Sequence, residues 1–266
     1  MNYKVGFIGC GNMATAIIGG LISKGGIAGD EIIASDKSES ATLRAKNTLS
    51  INVTDDNCLV ASNCDILFLS VKPQFYESVI EEIKDIISDN QVVVTIAPGK
   101  TLSWLAQRLG NNIKIVRTMP NTPALVGEGI TGVCKNALVT DEEFNTVMKL
   151  LGSFGIAEYV PEHLMDAVVS VSGSSPAYVF MFIEAMADAA VSDGMPRDKA
   201  YKFAAQAVLG SAKMVLETGK HPGELKDMVC SPGGTTIEAV RVLEEKGFRS
   251  SVMEAMRACT KKAKGV

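Results

Sequence analysis

Hydrophobic positions over the first 160 residues follow two alternating patterns. Short, β-branched apolar runs bounded by turn residues recur at 3–8, 31–35, 65–71, 91–97 and 113–118. Between them, at 12–24, 40–49, 75–88 and 102–109, apolar residues repeat at helical spacing. Runs such as Ile66-Leu67-Phe68-Leu69 and Val92-Val93-Val94 contain no polar break, which predicts strands covered on both faces. Strand, helix, strand in repetition predicts a parallel sheet with right-handed crossovers. Two further runs, 130–134 and 156–160, flank a helical pattern at 141–151 and are expected to extend that sheet.

After about residue 160 only helical patterns remain. Ser175-Pro176 predicts a helix start, with proline in the first turn, where its missing N–H costs nothing, and Gly194 predicts the stop after Asp193. Glu184 and Asp188 lie four apart on one stripe, and every other face of this helix is apolar or small. Such a helix requires burial nearly all round. A lone helical domain offers little core to provide it, so a subunit interface is expected. The next helix, 197–218, has alanine at 200, 204, 205, 207 and 212, which allows close helix packing. The fold class is therefore α/β followed by all-α, with the division at 1–160 and 161–266.

Composition narrows the function. The chain is 47% hydrophobic and 21% charged, a globular balance that excludes disordered and collagen-like classes. The net charge is −4 and neither half is basic, which argues against a nucleic-acid surface. The cluster Lys261, Lys262, Lys264 reads as a solvated chain end. Residues 1–4 run straight into a strand pattern with no leader-like segment. No window of about 18 apolar residues is free of charge, so no membrane span is expected. The cysteines at 10, 58, 64, 134, 230 and 259 form no CxxC pair, and the only histidines are His163 and His221, so no metal site is expected. This cysteine usage suits a reduced cytoplasm.

The first run ends in Gly9-Cys10-Gly11-Asn12-Met13-Ala14, a GxGxxA pattern between a buried strand and a helix. Gly9 permits a tight turn, Gly11 lets a pyrophosphate approach the backbone, and Ala14 lets helix and strand pack closely. The helix N-terminus then offers free amides and a partial positive charge to the anion. The second run ends Ser35-Asp36-Lys37-Ser38. An acid here favours the ribose 2′-hydroxyl of NAD, whereas hydroxyls and a cation favour the 2′-phosphate of NADP. With Asp36 turned away, Ser35, Lys37 and Ser38 hold the phosphate, so NADP(H) is favoured and NAD(H) stays open. Further along, Ser70-Val71-Lys72-Pro73-Gln74, Ile96-Ala97-Pro98-Gly99 and Thr118-Met119-Pro120-Asn121-Thr122-Pro123 follow strand ends, the edge at which ligands bind in open parallel sheets.

A second anion-binding pattern is Ser231-Pro232-Gly233-Gly234-Thr235-Thr236-Ile237-Glu238. Thr235 and Glu238 have capping-box spacing, which predicts a helix start, and the two glycines expose amides in a nest suited to a carboxylate.

The stretch HPGELKDMVCSPGGTTIEAVRVLE at 221–244 resembles the signature of the pyrroline-5-carboxylate reductases. So do SGSSPAYVFMFIEAMADAA at 172–190, the GFIGCGNM opening and the VKP and MPNTP loops, a likeness spanning about residues 3–258. The opening is shared with many dehydrogenases; the stretch near residue 230 is specific to the family. The resemblance implies reduction of 1-pyrroline-5-carboxylate to L-proline with NADPH or NADH, the last step of proline synthesis. It also implies an N-terminal Rossmann domain and a C-terminal helical dimerisation domain, in homodimers that often assemble to decamers. The implied cofactor contacts are Gly9, Cys10, Gly11, Asn12, Met13, Asn57, Val71, Lys72 and Ala97, and the implied substrate loop is Ser231, Gly234, Thr235 and Thr236. Val169 stands where some members have a threonine proposed as proton donor, and Pro98 where alanine is common, which removes an amide from that loop.

The chemistry transfers a hydride to the carbon of a cyclic imine and a proton to its nitrogen. Thr236 is the catalytic candidate, its hydroxyl bonding the ring nitrogen, while Lys72 is expected to serve the cofactor. A β-hydroxyacid dehydrogenase shares the opening but leaves the GGTT turn without a role. A nucleotide-sensing module explains GxGxxA but not a second anion nest.

Overall fold

The computed structural model describes residues 3–264. Met1 and Asn2, which precede the first expected strand, lie outside the described residues. The strands are β1 (Tyr3–Ile8), β2 (Ile32–Ser35), β3 (Asn52–Thr54), β4 (Cys64–Leu69), β5 (Val92–Thr95), β6 (Lys114–Met119), β7 (Gly129–Lys135) and β8 (Gly155–Tyr159). They form one sheet in the order β3-β2-β1-β4-β5-β6-β7-β8. Pairing is parallel from β3 through β6, with Ile8 opposite both Ser35 and Leu69, so the ends of β1, β2 and β4 lie level.

The helices along this sheet are α1 (Asn12–Ser23), α2 (Glu39–Leu49), α3 (Asn57–Ser62), α4 (Tyr76–Ile83), α5 (Leu102–Leu109), α6 (Asp141–Leu151) and α7 (Met165–Val168). Side chains alternate between the sheet's two faces. Phe7, Phe68 and Val94 join Ile17, Leu21 and Phe154 in one buried cluster. Ile8, Leu67, Leu69 and Val93 join Tyr76, Ile80 and Ile115 in the other. Cover on both faces accounts for the unbroken apolar runs.

Two features depart from the patterning. The strand β3 and helix α3 have no counterpart in it: β3 is short and half-exposed, and its pairing with β2 and the Asn52 side-chain bonds to Asp30 O and Ile32 O supply what three residues cannot. The final two strands do extend the sheet, but β7 runs antiparallel to β6 and β8 parallel to β7. Residues 120–128 fold as a loop with a 3₁₀ turn at Thr122–Val126, and a parallel return needs a longer crossover.

By their internal contacts the residues fall into two compact units. One runs to Ser174 and takes in the chain from Cys259; the other is Ser175–Ala258. Within the first, Glu162 Oε1 accepts from Leu102 N–H at 2.6 Å and from the buried Arg117 at 3.0 Å, and Asn121 donates to Ser172 O at 3.1 Å. These bonds hold the post-strand segment, including a π-helical turn at Val169–Gly173, onto the sheet. The chain end joins it through Cys259 to Ser174 and Thr260 to Ser170, at 3.1 and 2.9 Å.

The second unit consists of α8 (Ser175–Ser192), α9 (Arg197–Thr218), α10 (Pro222–Val229), α11 (Thr235–Glu245) and most of α12 (Phe248–Ala263). Gly194, at φ +94°, follows the end of α8 as its pattern predicts. Only Ala187, Ala200 and Ala204 of this unit are buried. Phe180 and Met181 are 62% and 68% exposed. The helical stretch Glu162–Ser192, with mean hydropathy 1.2, is long and apolar enough by length and composition to cross a membrane; 17% of that window is buried.

Candidate functional site

The glycine turn after β1 owes its shape to two different constraints. Gly9 has φ +106°, and a Cβ there would lie 2.7 Å from Ser70 O, so both backbone conformation and the neighbouring strand end demand glycine. Gly11 has ordinary extended angles, φ −72° and ψ −178°, and a Cβ there would meet nothing within 4 Å. No protein atom explains the missing side chain; the open space beside it does. Gly11 is the N-cap of α1 and supplies no side-chain cap, so the first-turn amides of Asn12 and Met13 point outwards without a side-chain acceptor.

A cavity of about 320 Å³ opens here. Of the sequence-predicted residues it brings together Gly9, Gly11, Lys37, Asn57, Val71 and Lys72. Asn12 and Met13, also predicted, follow Gly11 in the first turn of α1 and are not among the residues that line it. Asp36, Ser70, Phe75, Ser78 and Val79 line it as well. Patterning placed Phe75 at the start of the 75–88 helical pattern and gave no signal for a site; the residue is 51% exposed.

Three predicted contacts are placed differently. Ser35 is fully buried and its hydroxyl donates to Asn57 Oδ1 at 2.7 Å, so it supports Asn57 and presents no surface to a phosphate. Asn57 also donates to Glu82 Oε2 at 2.9 Å, which fixes its amide at the cavity wall. Cys10 is buried beneath the turn, with its amide donating to Asp36 Oδ2 at 2.8 Å. Burial, and secondarily the Asp36 charge against the opposing pull of Arg44, pushes the Cys10 thiol up to about 12. Ala97 is buried two residues past the end of β5. Beneath the cavity, the wholly buried Tyr76 donates to Leu69 O at 2.6 Å and lies 3.4 Å from Thr95 Oγ1, joining the ends of β4 and β5.

The second cluster lies in the helical unit. Gly234 N–H donates to Ser231 O at 3.0 Å, closing a turn in which Gly233 has φ +69°. The expected capping box is absent. The N-cap of α11 is Gly234, one residue before Thr235, and no side chain caps it. Glu238 instead accepts from Arg241 Nε at 3.0 Å. The shift leaves the amides of the first turn, at Thr235 and Thr236, without a side-chain acceptor. By contrast α3, α5 and α6 are capped by Asp56, Thr101 and Thr140. His221 Nδ1 accepts from Gly223 N–H at 3.0 Å, capping α10.

An α1 amide cluster beside an open cavity fits a dinucleotide pyrophosphate, and the Ser231–Thr236 turn fits a small carboxylate. Known proteins match both parts. Residues 162–266 match the family model described as pyrroline-5-carboxylate reductase dimerisation, and residues 4–99 that described as NADP oxidoreductase, coenzyme F420-dependent. The pyrroline-5-carboxylate reductase of Escherichia coli (strain K12) is 57% identical over 263 residues, covering 99% of this chain and 98% of its own. A crystal structure of the Plasmodium falciparum pyrroline carboxylate reductase with NADP bound superposes with a TM-score of 0.91 at 34% identity, covering 99% and 98% of the two chains. The Streptococcus pyogenes enzyme gives 0.90 at 33%, with the same coverage. The Mycobacterium tuberculosis 3-hydroxyisobutyrate dehydrogenase, 10% identical over 73% of this chain and 67% of its own with a TM-score of 0.53, shares the fold alone.

Proposed function

This chain belongs to the pyrroline-5-carboxylate reductase family, and from that premise we propose that it reduces the C=N bond of 1-pyrroline-5-carboxylate to give L-proline, using NADP(H) held in the cavity beside Gly9 and Gly11. The observation that carries the reading is the pair of glycine-capped helices, α1 and α11, whose first-turn amides lack side-chain caps. The β-hydroxyacid dehydrogenase and sensing-module alternatives are not favoured, since the first shares only the fold.

The Asn12 and Met13 amides hold the pyrophosphate, with Gly11 admitting it. Lys37 takes the 2′-phosphate, and Asn57, Val71 and Lys72 frame the riboses and nicotinamide. The sheet-bearing unit thus serves the dinucleotide, and the helical unit, which begins at Ser175 and not at the expected 161, the substrate and the partner subunit. When bound, the reduced cofactor supplies a hydride to the imine carbon. Amides of Thr235 and Thr236 grip the substrate carboxylate in the turn that Gly234 N–H closes onto Ser231 O, and the Thr236 hydroxyl bonds the ring nitrogen. Holding the reactants in register contributes about 7–11 kcal/mol, more than the roughly 10²–10⁴-fold of a general acid. An imine that arrives protonated needs no strong acid, so amides and a hydroxyl suffice.

The helical unit has three buried alanines for a core and a broad exposed apolar surface. A second copy of the chain covers it, in a cytoplasmic homodimer able to assemble to a decamer, with neither nucleic acid nor membrane as partner. Light scattering at micromolar concentration then gives a dimer or larger; a particle of monomer mass contradicts the interface. NADPH absorbance decides the activity: loss with 1-pyrroline-5-carboxylate and none with 3-hydroxy acids is the expected pattern. Thr236→Val raises KM and lowers kcat while NADPH affinity holds, and unchanged kinetics remove Thr236 from the site. Lys37→Glu weakens NADPH more than NADH, and equal effects defeat the 2′-phosphate role.

A further inference from the structure

We propose that Asp36 is a positioning residue that locks the nucleotide turn through two backbone amides, and that it does not act as the acceptor for a ribose 2′-hydroxyl. This deepens the NADP(H) reading of the cavity and rests on it.

An acid at the end of the second strand of such a fold ordinarily takes the ribose hydroxyl. Asp36 stands directly after β2 and lines the cavity, so position alone would give it that role. Its bonds point elsewhere. Oδ2 accepts from Cys10 N–H at 2.8 Å, and Oδ1 accepts from Ser38 N–H at 2.9 Å. One carboxylate thus staples the turn after β1 to the turn after β2. Gly9 N–H, donating to Ser35 O at 2.7 Å, runs alongside as a second tie.

Both bonds are charge-assisted, the stronger kind of amide hydrogen bond. Cys10 is buried, so swinging the carboxylate out to a ribose strands its amide away from water, a penalty that one hydroxyl contact does not recover. With the Ser38 amide drawn inwards, Lys37 stays exposed and lines the cavity, while the Ser38 hydroxyl is turned to that of Ser40 at 2.9 Å. The carboxylate therefore acts on every nucleotide alike, by setting the path of the glycine turn. Discrimination between NADPH and NADH falls to the residues after it.

The test compares Asp36→Asn with Asp36→Ala. Both remove the charge, so their field on bound phosphates changes equally. Asparagine keeps one amide acceptor and alanine keeps none. Dissociation constants for NADPH and NADH are measured by calorimetry, and exchange of the Cys10 and Ser38 amides by NMR. The expected result is that Asn binds both nucleotides more tightly than Ala by the same factor, about 3–10-fold for one hydrogen bond. The Cys10 amide, protected in the wild type, exchanges faster in the Ala variant. An Asn advantage confined to NADH overturns the proposal by making the group a ribose ligand; so does equal binding by the two variants, or a Cys10 amide whose exchange is the same in wild type and Ala. Should wild-type protein bind neither nucleotide, the cofactor reading fails and the amide exchange still judges Asp36.

Discussion

Two glycines two residues apart in one turn are expected to fail in opposite ways. Gly9→Ala forces a methyl-bearing residue to φ +106° and sets its Cβ 2.7 Å from the Ser70 carbonyl oxygen. The backbone strain costs about 1–3 kcal/mol, and the overlap with a strand end that cannot swing aside adds about 1–3 kcal/mol. Together they lower the melting temperature by roughly 5–20 °C for a domain of this size. Gly11→Ala meets neither obstacle, because its angles suit any residue and its Cβ touches nothing. A weaker N-cap costs about 0.5–1.5 kcal/mol, and the stiffer unfolded chain returns about 0.4–1 kcal/mol. Stability is thus unchanged within about 1 kcal/mol. The new methyl does occupy the approach to the α1 amides, and a pyrophosphate pushed back from them loses about 2 kcal/mol, roughly 30-fold in Kd. Differential scanning calorimetry without ligand and titration with NADPH read the two effects separately. A Gly11→Ala protein with wild-type melting and wild-type NADPH affinity would show that the open space is not nucleotide space. A Gly9→Ala protein as stable as wild type would refute the steric account of the turn.

Tyr76→Phe removes the hydroxyl that joins Leu69 O to the end of β5 and leaves a buried carbonyl short of a donor, at a cost of about 1–3 kcal/mol. Urea unfolding measures it, and a loss below about 0.3 kcal/mol means the oxygen finds another partner. Burial pushes the thiol of Cys64 up to about 12 and that of Cys134 up to about 11, so both stay unlabelled by a thiol reagent at pH 8 until the protein unfolds; labelling of the native protein contradicts their burial. Burial raises the Glu143 carboxyl, but hydrogen bonds from Lys114 and Thr140 outweigh it and hold the group below its ordinary 4.5. Its contribution is therefore complete above that value and lost as pH falls through the lower folded-state value. The stability advantage over Glu143→Gln shrinks on acidification, and an advantage that grows instead reverses the sign of the linkage.

Much of the candidate site is proposed from the chain alone because its signals are local. Gly9 and Gly11 sit within one turn, the amides of α1 follow immediately, and Gly233-Gly234 precede their own helix in the same way. The unbroken apolar runs of β4 and β5 announced a doubly covered sheet, and the greasy α8 announced a surface needing a partner. Where the patterning failed, the deciding partner was distant. Whether Asp36 faces the cavity or the turn depends on the amide of Cys10, 26 residues away, and Ser35 was lost as a phosphate ligand to Asn57, 22 residues away. The three residues of β3 are ordered by β2, and α11 is capped at Gly234 while Glu238 pairs with Arg241. Backbone permissiveness and hydrophobic period belong to neighbours in the chain, so residue order settles them. A carboxylate or hydroxyl chooses among whatever donors folding brings within 3 Å, and that choice exists only once the strands have paired.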